Sequence, residues 1–165
     1  MKRLSLRPFT DSDIPIFTEW LQKLYIKKWY DPIDEWVEEV KNIDGEFSWL
    51  HHFIVIYDDT PIGFCQYYDC YDSREYEDWN GRIFDVPGEV YTIDYLIGDE
   101  NFIGKGYGKD LIRILTELVF GVGAKEIIVD PDKNNAQSNG VLRANDYVYN
   151  RNYGFYEKFA KGIEK

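Results

Sequence analysis

The order of apolar and polar residues predicts that the chain begins with a strand followed by a helix. Residues 3–9 alternate between polar and apolar side chains, a period of two that is typical of a strand. Residues 10–26 predict a helix with Thr10 as its N-cap. The apolar positions at helical spacing in this segment are Ile14, Phe17, Leu21 and Leu24.

A second helix and a β-hairpin are predicted next. The helix covers residues 31–42, where Asp31 is placed to cap it and Pro32 suits the first turn. Residues 49–59 form an apolar strand that ends in an Asp-Asp-Thr-Pro turn, and residues 61–71 form the returning strand.

A β-α-β unit is predicted in the second half of the chain. Residues 69–88 have no clean period and are rich in acidic and aromatic side chains, and a loop of this length is typically functional or mobile. A strand at 89–98, a helix at 104–120 and a short buried strand at 125–130 follow. The apolar stripe of the helix consists of Leu111, Ile112, Leu115, Leu118 and Val119.

The remaining segments complete a single α+β domain, expected to span residues 1–165. Residues 134–146 predict another helix, and the segment "YVYNRNYGFYEKFA" predicts two final strands. Because a strand–helix–strand crossover joins parallel strands, we expect one parallel pair inside a mostly antiparallel sheet.

Composition excludes several classes of function. The net charge of −11 disfavours nucleic acid, since such binding depends on lysine and arginine, and suits a cationic small molecule or simply solubility. No apolar run is long enough to cross a membrane, and the first ten residues lack the apolar segment of a signal peptide, so we expect a cytoplasmic protein. Cys65 and Cys70 are not spaced for a disulfide, and the adjacent His51 and His52 do not have zinc-ligand spacing.

The segment "NFIGKGYGKDLIRIL" carries the strongest chemical signal, with glycines at 104, 106 and 108 directly before the apolar stripe of a helix. A helix N-terminus presents unpaired N–H groups and attracts anions, and glycines let an anion approach the backbone. Lys105 and Lys109 add positive charge at the same place in an acidic chain. This coincidence favours a phosphate-binding loop over a flexible hinge.

Two common phosphate motifs fit this segment poorly. A P-loop requires Ser or Thr after its lysine, whereas Asp110 follows Lys109. The dinucleotide fingerprint G-x-G-x-x-G fails at its last glycine, although Asp130 stands where a ribose-binding acid would be expected. Dinucleotide binding therefore remains an alternative with weaker support.

The longer segment "IGDENFIGKGYGKDLIRIL" resembles the acyl-CoA pyrophosphate loop of the GNAT N-acyltransferase superfamily, whose signature is Q/R-x-x-G-x-G/A. Gly106 and Gly108 match the two glycines of the signature, and Ile103 departs from it at the Q/R position. The likeness extends to the bacterial aminoglycoside 6′-N-acetyltransferases in four further segments in the same order. These are "TEWL", "TPIGFCQYY", "VYTIDYLIG" and "DPDKNN".

The resemblance implies the GNAT fold, in which a mixed, mostly antiparallel sheet is flanked by helices and a parallel β-α-β unit splays at the CoA cleft. It implies acetyl-CoA as co-substrate, no metal, and direct transfer of the acetyl group to an amine in a ternary complex. The acyl-CoA contacts it implies are Leu96, Ile97, Gly98, Ile103, Gly104, Lys105, Gly106, Tyr107, Gly108, Lys109, Asn135 and Ser138.

Asp94 is the residue that the resemblance places beside the acceptor amine. Strand periodicity puts it in the middle of a predicted central strand, where an acid is costly unless it meets a partner, a cavity or a ligand. A strand bulge with bonds to nearby amides is the structural alternative. The acceptor-binding residues that the resemblance implies are Trp29, Gln66, Tyr68, Asp69, Asp72, Trp79, Glu89 and Asp94.

One departure from the family pattern affects the chemistry. The family usually has a tyrosine near the CoA sulfur on the helix after "NN", and Leu142 stands at that position, with Tyr147 and Tyr149 nearby in sequence. The sequence therefore also permits a non-catalytic acyl-CoA-binding or sensor module. A polyamine, a siderophore precursor or a protein amine is an alternative acceptor. The protein is expected to be a monomer or a homodimer.

Overall fold

The computed structural model describes residues 3–163. The helices are α1 (Ile14–Leu21), α2 (Leu24–Tyr30), α3 (Ile33–Lys41), α4 (Tyr107–Gly121) and α5 (Ala136–Ala144). The strands are β1 (Leu4–Pro8), β2 (His51–Tyr57), β3 (Thr60–Asp69), β4 (Val90–Ile97), β5 (Glu126–Val129), β6 (Val148–Asn150) and β7 (Phe155–Phe159). Short 3-10 turns lie at Asp11–Asp13 and Glu100–Phe102.

The strands form one sheet in the order β1-β2-β3-β4-β5-β7-β6. β1 pairs antiparallel with β2, and β7 pairs antiparallel with both β5 and β6. β4 and β5 are parallel, with Val90–Thr92 opposite Glu126–Ile128, and β4 continues to Ile97. The predicted α+β class with a parallel β-α-β unit is confirmed.

The helix predicted over residues 10–26 is not continuous. Thr10 precedes the 3-10 turn, and its N–H donates to the Asp13 carboxylate at 2.8 Å, while Asp13 is the N-cap of α1. Lys23 is extended, with φ −68° and ψ 134°, so α2 starts afresh at Leu24. Leu24 is 85% exposed and does not continue the buried stripe. Periodicity alone does not reveal this break, because the apolar spacing runs on across it.

The predicted cap of the second helix is also wrong. α3 starts at Ile33 with Pro32 as its N-cap residue, and no side chain caps it. Asp31 has ψ 138°, an extended conformation that ends α2 rather than starting α3. A residue before proline is pushed toward the extended region by the proline ring, which explains the shift.

α4 begins three residues later than predicted, because two glycines before it lie outside the right-handed helical region. Gly104 has φ +76° and Gly106 has φ +85°. The backbone thus reaches the helical conformation only at Tyr107. Leu111, Ile112, Leu115 and Val119 of the predicted stripe are buried.

The described chain divides into two compact units, and the prediction of a single domain stays a prediction. The first unit contains residues 3–66 and 94–111, and the second contains residues 67–93 and 112–163. The core cluster of the first unit consists of Phe17, Trp20, Leu21, Ile26, Val40, Ile54, Phe64 and Leu96. A cluster in the second unit consists of Cys70, Trp79, Phe84, Ile128 and Phe155.

Candidate active site

Asp94 lies in the middle of β4 and is held by a neighbouring strand within the first unit. The Gln66 side-chain nitrogen on β3 donates to Asp94 Oδ2 at 2.7 Å. Gln66 is only 2% exposed, whereas Asp94 is half-buried. The acid therefore meets a hydrogen-bond donor on one side and keeps partial access to solvent. This arrangement suits a carboxylate that receives a cationic ligand.

Tyr30 is a neighbour of Asp94 that the sequence analysis missed. Its hydroxyl donates to the main-chain carbonyl of Tyr95 on β4, and its ring packs edge-on against Trp36 with centroids 4.9 Å apart. Burial, assisted by the negative charge of Asp94, raises the pKa of Tyr30 well above its ordinary value. The hydroxyl therefore keeps its proton at neutral pH and acts as a donor. Helical periodicity gives no signal for this contact.

After Asp94, the main-chain N–H and C=O groups of β4 point alternately toward β3 and away from it. The N–H of Gly98 donates to the carbonyl of Ile62 at 2.7 Å, on the side of β3. Because main-chain groups alternate between the two edges of a strand, Leu96 faces β3 as well, while Tyr95 and Ile97 face away from it. Of the predicted acyl-CoA contacts on this strand, Ile97 is thus the one whose main-chain groups point away from β3.

Side chains at the start of α2 donate hydrogen bonds to main-chain carbonyls at the C-terminal end of β4. Lys23 Nζ donates to the Gly98 carbonyl at 2.7 Å, and the Tyr25 hydroxyl donates to the same oxygen at 2.9 Å and to the Ile97 carbonyl at 3.2 Å. Burial, together with the charges of nearby acids, raises the pKa of Tyr25 to about 12. A Cβ on Gly98 would lie 2.1 Å from the Trp20 ring, so only glycine fits there. These contacts hold the end of the strand in place.

The glycine segment forms an exposed approach to the N-terminus of α4. A Cβ added at Gly104 or Gly106 would meet nothing within 4 Å, so the positive φ rather than packing requires glycine at both positions. The Asp110 N–H donates to the Gly106 carbonyl at 3.3 Å. A helix that starts at Tyr107 leaves the N–H groups of its first turn without partners inside the helix. Gly108 lies within that turn.

Aromatic contacts anchor this segment, and two lysines flank it. The Tyr107 ring packs against Tyr57 and Phe102, with centroids 5.0 Å and 5.4 Å apart. Lys105 and Lys109 are exposed, and Ile103 is half-buried and extended, with φ −86°. The open backbone, the helix start and the two lysines make this segment suitable for an anionic group.

In the second unit, Asn135 and Ser138 take part in the start of α5. The Asn135 side-chain oxygen accepts the Ser138 N–H at 3.1 Å, which makes Asn135 the N-cap. Leu142 is fully buried, and the Tyr147 hydroxyl lies 2.7 Å from the Thr116 hydroxyl in a buried pair. The cap of α5 thus accounts for the presence of Asn135 and Ser138 at these positions. Contact of the two residues with CoA stays a prediction.

Asp69 ties together the two ends of the acid-rich loop. Its Oδ1 accepts the Tyr71 N–H at 2.9 Å and its Oδ2 accepts the Gly88 N–H at 2.6 Å. Asp69 is only 7% exposed. Both oxygens therefore serve the loop itself, which is a structural role that the sequence analysis did not assign.

Other residues predicted to bind the acceptor also have structural contacts in the second unit. The Tyr68 hydroxyl donates to Glu77 at 2.7 Å. The buried Trp79 packs edge-on against Phe155, with centroids 5.3 Å apart, and belongs to the core cluster. Glu89 pairs with Lys125 at 2.9 Å.

Two aromatic or acidic side chains remain more accessible. Asp72 is exposed in the second unit. Trp29 on α2 is half-buried in the first unit, with Lys28 Nζ 4.7 Å from its ring centroid. Substrate binding by these residues, and by those described above for the second unit, stays a prediction.

Residues 3–163 contain no group of three or more His, Cys, Asp or Glu side chains arranged to hold a metal ion. Cys65 and Cys70 are buried free thiols. Within the same residues, none of the helices has both the length and the apolarity needed to cross a membrane.

The family model "Acetyltransferase (GNAT) domain" matches residues 10–155. Aminoglycoside N(6')-acetyltransferase type 1 from Klebsiella pneumoniae and from Serratia marcescens are each 29% identical over 143 residues, covering 82% of this chain and 69% of the relative. A crystal structure of aminoglycoside acetyltransferase AAC(6')-Ib with coenzyme A and kanamycin superposes with a TM-score of 0.79, at 24% identity, covering 96% of this chain and 95% of the other.

An aminoglycoside N(6')acetyltransferase from Legionella pneumophila shares the fold at a TM-score of 0.71 and 18% identity, covering 95% and 91% of the two chains. The family model matches most of the sequence. The matched part contains the acid on β4 and the glycine segment before α4. They define an acetyltransferase, and the chain belongs to the GNAT family. Within that family it is similar to the aminoglycoside 6′-N-acetyltransferases.

Proposed function

We propose that this protein transfers the acetyl group of acetyl-CoA to a primary amine of an aminoglycoside-like polycation, at the 6′ position. The observation that carries the proposal is the carboxylate of Asp94, held by Gln66 in the middle of β4, in the same unit as the glycine segment. The names of the curated relatives and the net charge of −11 support a cationic acceptor.

The chemistry requires an uncharged amine next to a thioester. The amine lone pair attacks the thioester carbonyl carbon, a C–N bond forms, the C–S bond breaks, and CoA leaves as a thiolate while the amine loses a proton. A carboxylate with a reference pKa near 3.9 is a weak base toward an amine with a pKa near 10. Asp94 therefore orients the ammonium form and passes its proton to solvent, with Gln66 fixing the carboxylate.

Acetyl-CoA is the co-substrate of this family, and two parts of the first unit suit it. The main-chain N–H of Ile97 on β4 faces away from β3 and suits an extended amide-containing chain, whereas the Ile97 carbonyl accepts the Tyr25 hydroxyl. The backbone of residues 103–109, with Lys105 and Lys109, suits the pyrophosphate. An N–H group of the strand would stabilise the oxyanion that forms on the thioester carbonyl.

The proposal is tested by mixing the purified protein with acetyl-CoA and a panel of amines that includes kanamycin, polyamines and a lysine peptide. We expect release of CoA thiol and acetylated kanamycin in the mass spectrum. Asp94→Asn should lower kcat by about 100-fold or more while CoA affinity stays within about twofold. Equal losses of kcat and of CoA affinity would show that Asp94 has only a structural role.

A second candidate, an acyl-CoA-binding module without catalysis, is favoured by one observation. Leu142, at the position of the usual tyrosine, is fully buried. Loss of the tyrosine does not by itself exclude catalysis, because the thiol of CoA, with a pKa near that of cysteine at about 8.5, can leave as a thiolate without a proton donor. Stabilisation by CoA in a thermal melt without thiol release from any amine would support this module. Stabilisation by NAD instead of CoA would support dinucleotide binding.

The cytoplasmic location and the state of monomer or homodimer stay predictions. Fractionation of the native host and light scattering of the purified protein measure them directly.

A further inference from the structure

His52 on β2 is a buried polar residue that the proposed mechanism does not yet use. It is 6% exposed and packs against Phe9 and Phe64, whose ring centroids are 6.1 Å and 5.6 Å from its own. Burial lowers the pKa of His52 to about 4, so the imidazole is neutral near pH 7 and carries one N–H donor. Neither ring nitrogen has a hydrogen-bond partner in residues 3–163.

Gln66 is the neighbour that can satisfy this imidazole. The His52 ring packs against Phe64 on β3, and Gln66 follows Phe64 by two positions, so Gln66 shares the face of β3 that meets His52. The side chain of Gln66 also raises the pKa of His52, in opposition to burial. The Gln66 nitrogen donates to Asp94, whereas its carbonyl oxygen is buried and also lacks a partner within the described chain. An unsatisfied buried polar atom costs about 1–3 kcal/mol. A hydrogen bond from the His52 imidazole to the Gln66 carbonyl oxygen would remove this cost for both groups.

We propose that His52 is a positioning residue for the reaction: its imidazole N–H donates to the Gln66 carbonyl oxygen and so directs the Gln66 nitrogen toward Asp94. A glutamine amide has an acceptor end and a donor end, and only the donor end attracts a carboxylate. A donor at the opposite end selects the productive orientation. The line His52–Gln66–Asp94 runs across β2, β3 and β4 of the first unit, and its catalytic meaning rests on the proposed function.

The kinetic test compares substitutions at two adjacent histidines. His52→Phe keeps a ring but removes the donor, His52→Gln keeps a donor, and His51→Phe changes the exposed neighbour as a matched control. We expect His52→Phe to lower kcat about tenfold with the KM for acetyl-CoA unchanged, His52→Gln to restore most of that loss, and His51→Phe to leave kcat unchanged. Equal kcat for His52→Phe and wild type, with thermal melts showing both folded, would overturn the proposal.

A double-mutant cycle separates positioning from simple packing. If His52 acts through Gln66, then His52→Phe in a Gln66→Leu background should cause little further loss of kcat, because the coupled effects are not additive. Fully additive losses would contradict the proposed line.

A readout that needs no activity keeps this proposal apart from the proposed function. The side-chain NH₂ of Gln66, observed by ¹⁵N NMR, should exchange with solvent faster in His52→Phe than in wild type and His51→Phe. Failure to acetylate any amine would refute the proposed function and leave this result standing. Unchanged Gln66 signals in His52→Phe would refute the contact, whatever the activity.

Discussion

A single methyl group at Gly106 tests whether the segment before α4 binds the phosphates of CoA. Gly106 has φ +85°, and an added Cβ would meet nothing within 4 Å. Gly106→Ala therefore adds backbone strain without a clash. The new methyl also stands one residue before α4, whose first N–H groups are where an anion would approach.

The expected magnitudes differ for stability and for binding. An alanine in the left-handed region costs about 1–2 kcal/mol, which lowers the melting temperature of a domain of this size by about 2–8 °C. If the segment binds pyrophosphate, the methyl should also raise the Kd for CoA by about tenfold, which corresponds to about 1.4 kcal/mol.

Gly123 provides the matched control, because it follows the C-terminus of α4, has φ +108° and also has open space around its Cβ. Gly123→Ala should lower the melting temperature by a similar amount and leave the Kd for CoA unchanged in isothermal titration calorimetry. If the two variants bind CoA equally well, the assignment of the phosphates to residues 103–109 is refuted.

Two further predictions concern stability. Burial lowers the pKa of His52 from 6.5 to about 4. Between these pH values the unfolded chain binds a proton on His52 that the folded chain does not bind. The free energy of unfolding should therefore fall by up to about 3 kcal/mol as the pH drops from 6.5 to about 4. Urea titrations should show this slope in wild type and in His51→Phe, and a flatter one in His52→Phe; parallel slopes would contradict it. Arg82 makes two hydrogen bonds to the buried Glu126, of 2.6 Å and 2.9 Å, so Arg82→Met should cost about 3–5 kcal/mol by leaving that charge unpaired. Arg3→Met, which breaks an exposed pair, should cost less than about 1 kcal/mol, and equal denaturation midpoints for the two variants would show that burial of Glu126 does not matter.

Local patterns in the sequence determined most of the elements of this protein. Alternation predicted β1, apolar runs predicted β2 and β5, helical spacing predicted α4, and the crossover predicted the parallel pair of β4 and β5. The glycines before α4 were recognisable because a positive φ at Gly104 and Gly106 is a property of single residues. Such signals depend only on neighbours within a few positions.

The tertiary structure alone decided which polar groups meet. The break between α1 and α2 brings Lys23 and Tyr25 to the carbonyls of β4, more than 70 positions further along the chain. Strand periodicity does not reveal that Asp69 binds both ends of its loop or that Trp79 belongs to the core.

The same holds for the candidate site. Asp94 was recognisable as an unusual acid in a central strand, but its donor Gln66 lies 28 positions away and the neighbouring His52 lies on a third strand. Sequence spacing encodes the period of each element, whereas the pairing of elements depends on how their buried faces pack. The element types could thus be predicted from the sequence, and the hydrogen-bond partners of Asp94 could not.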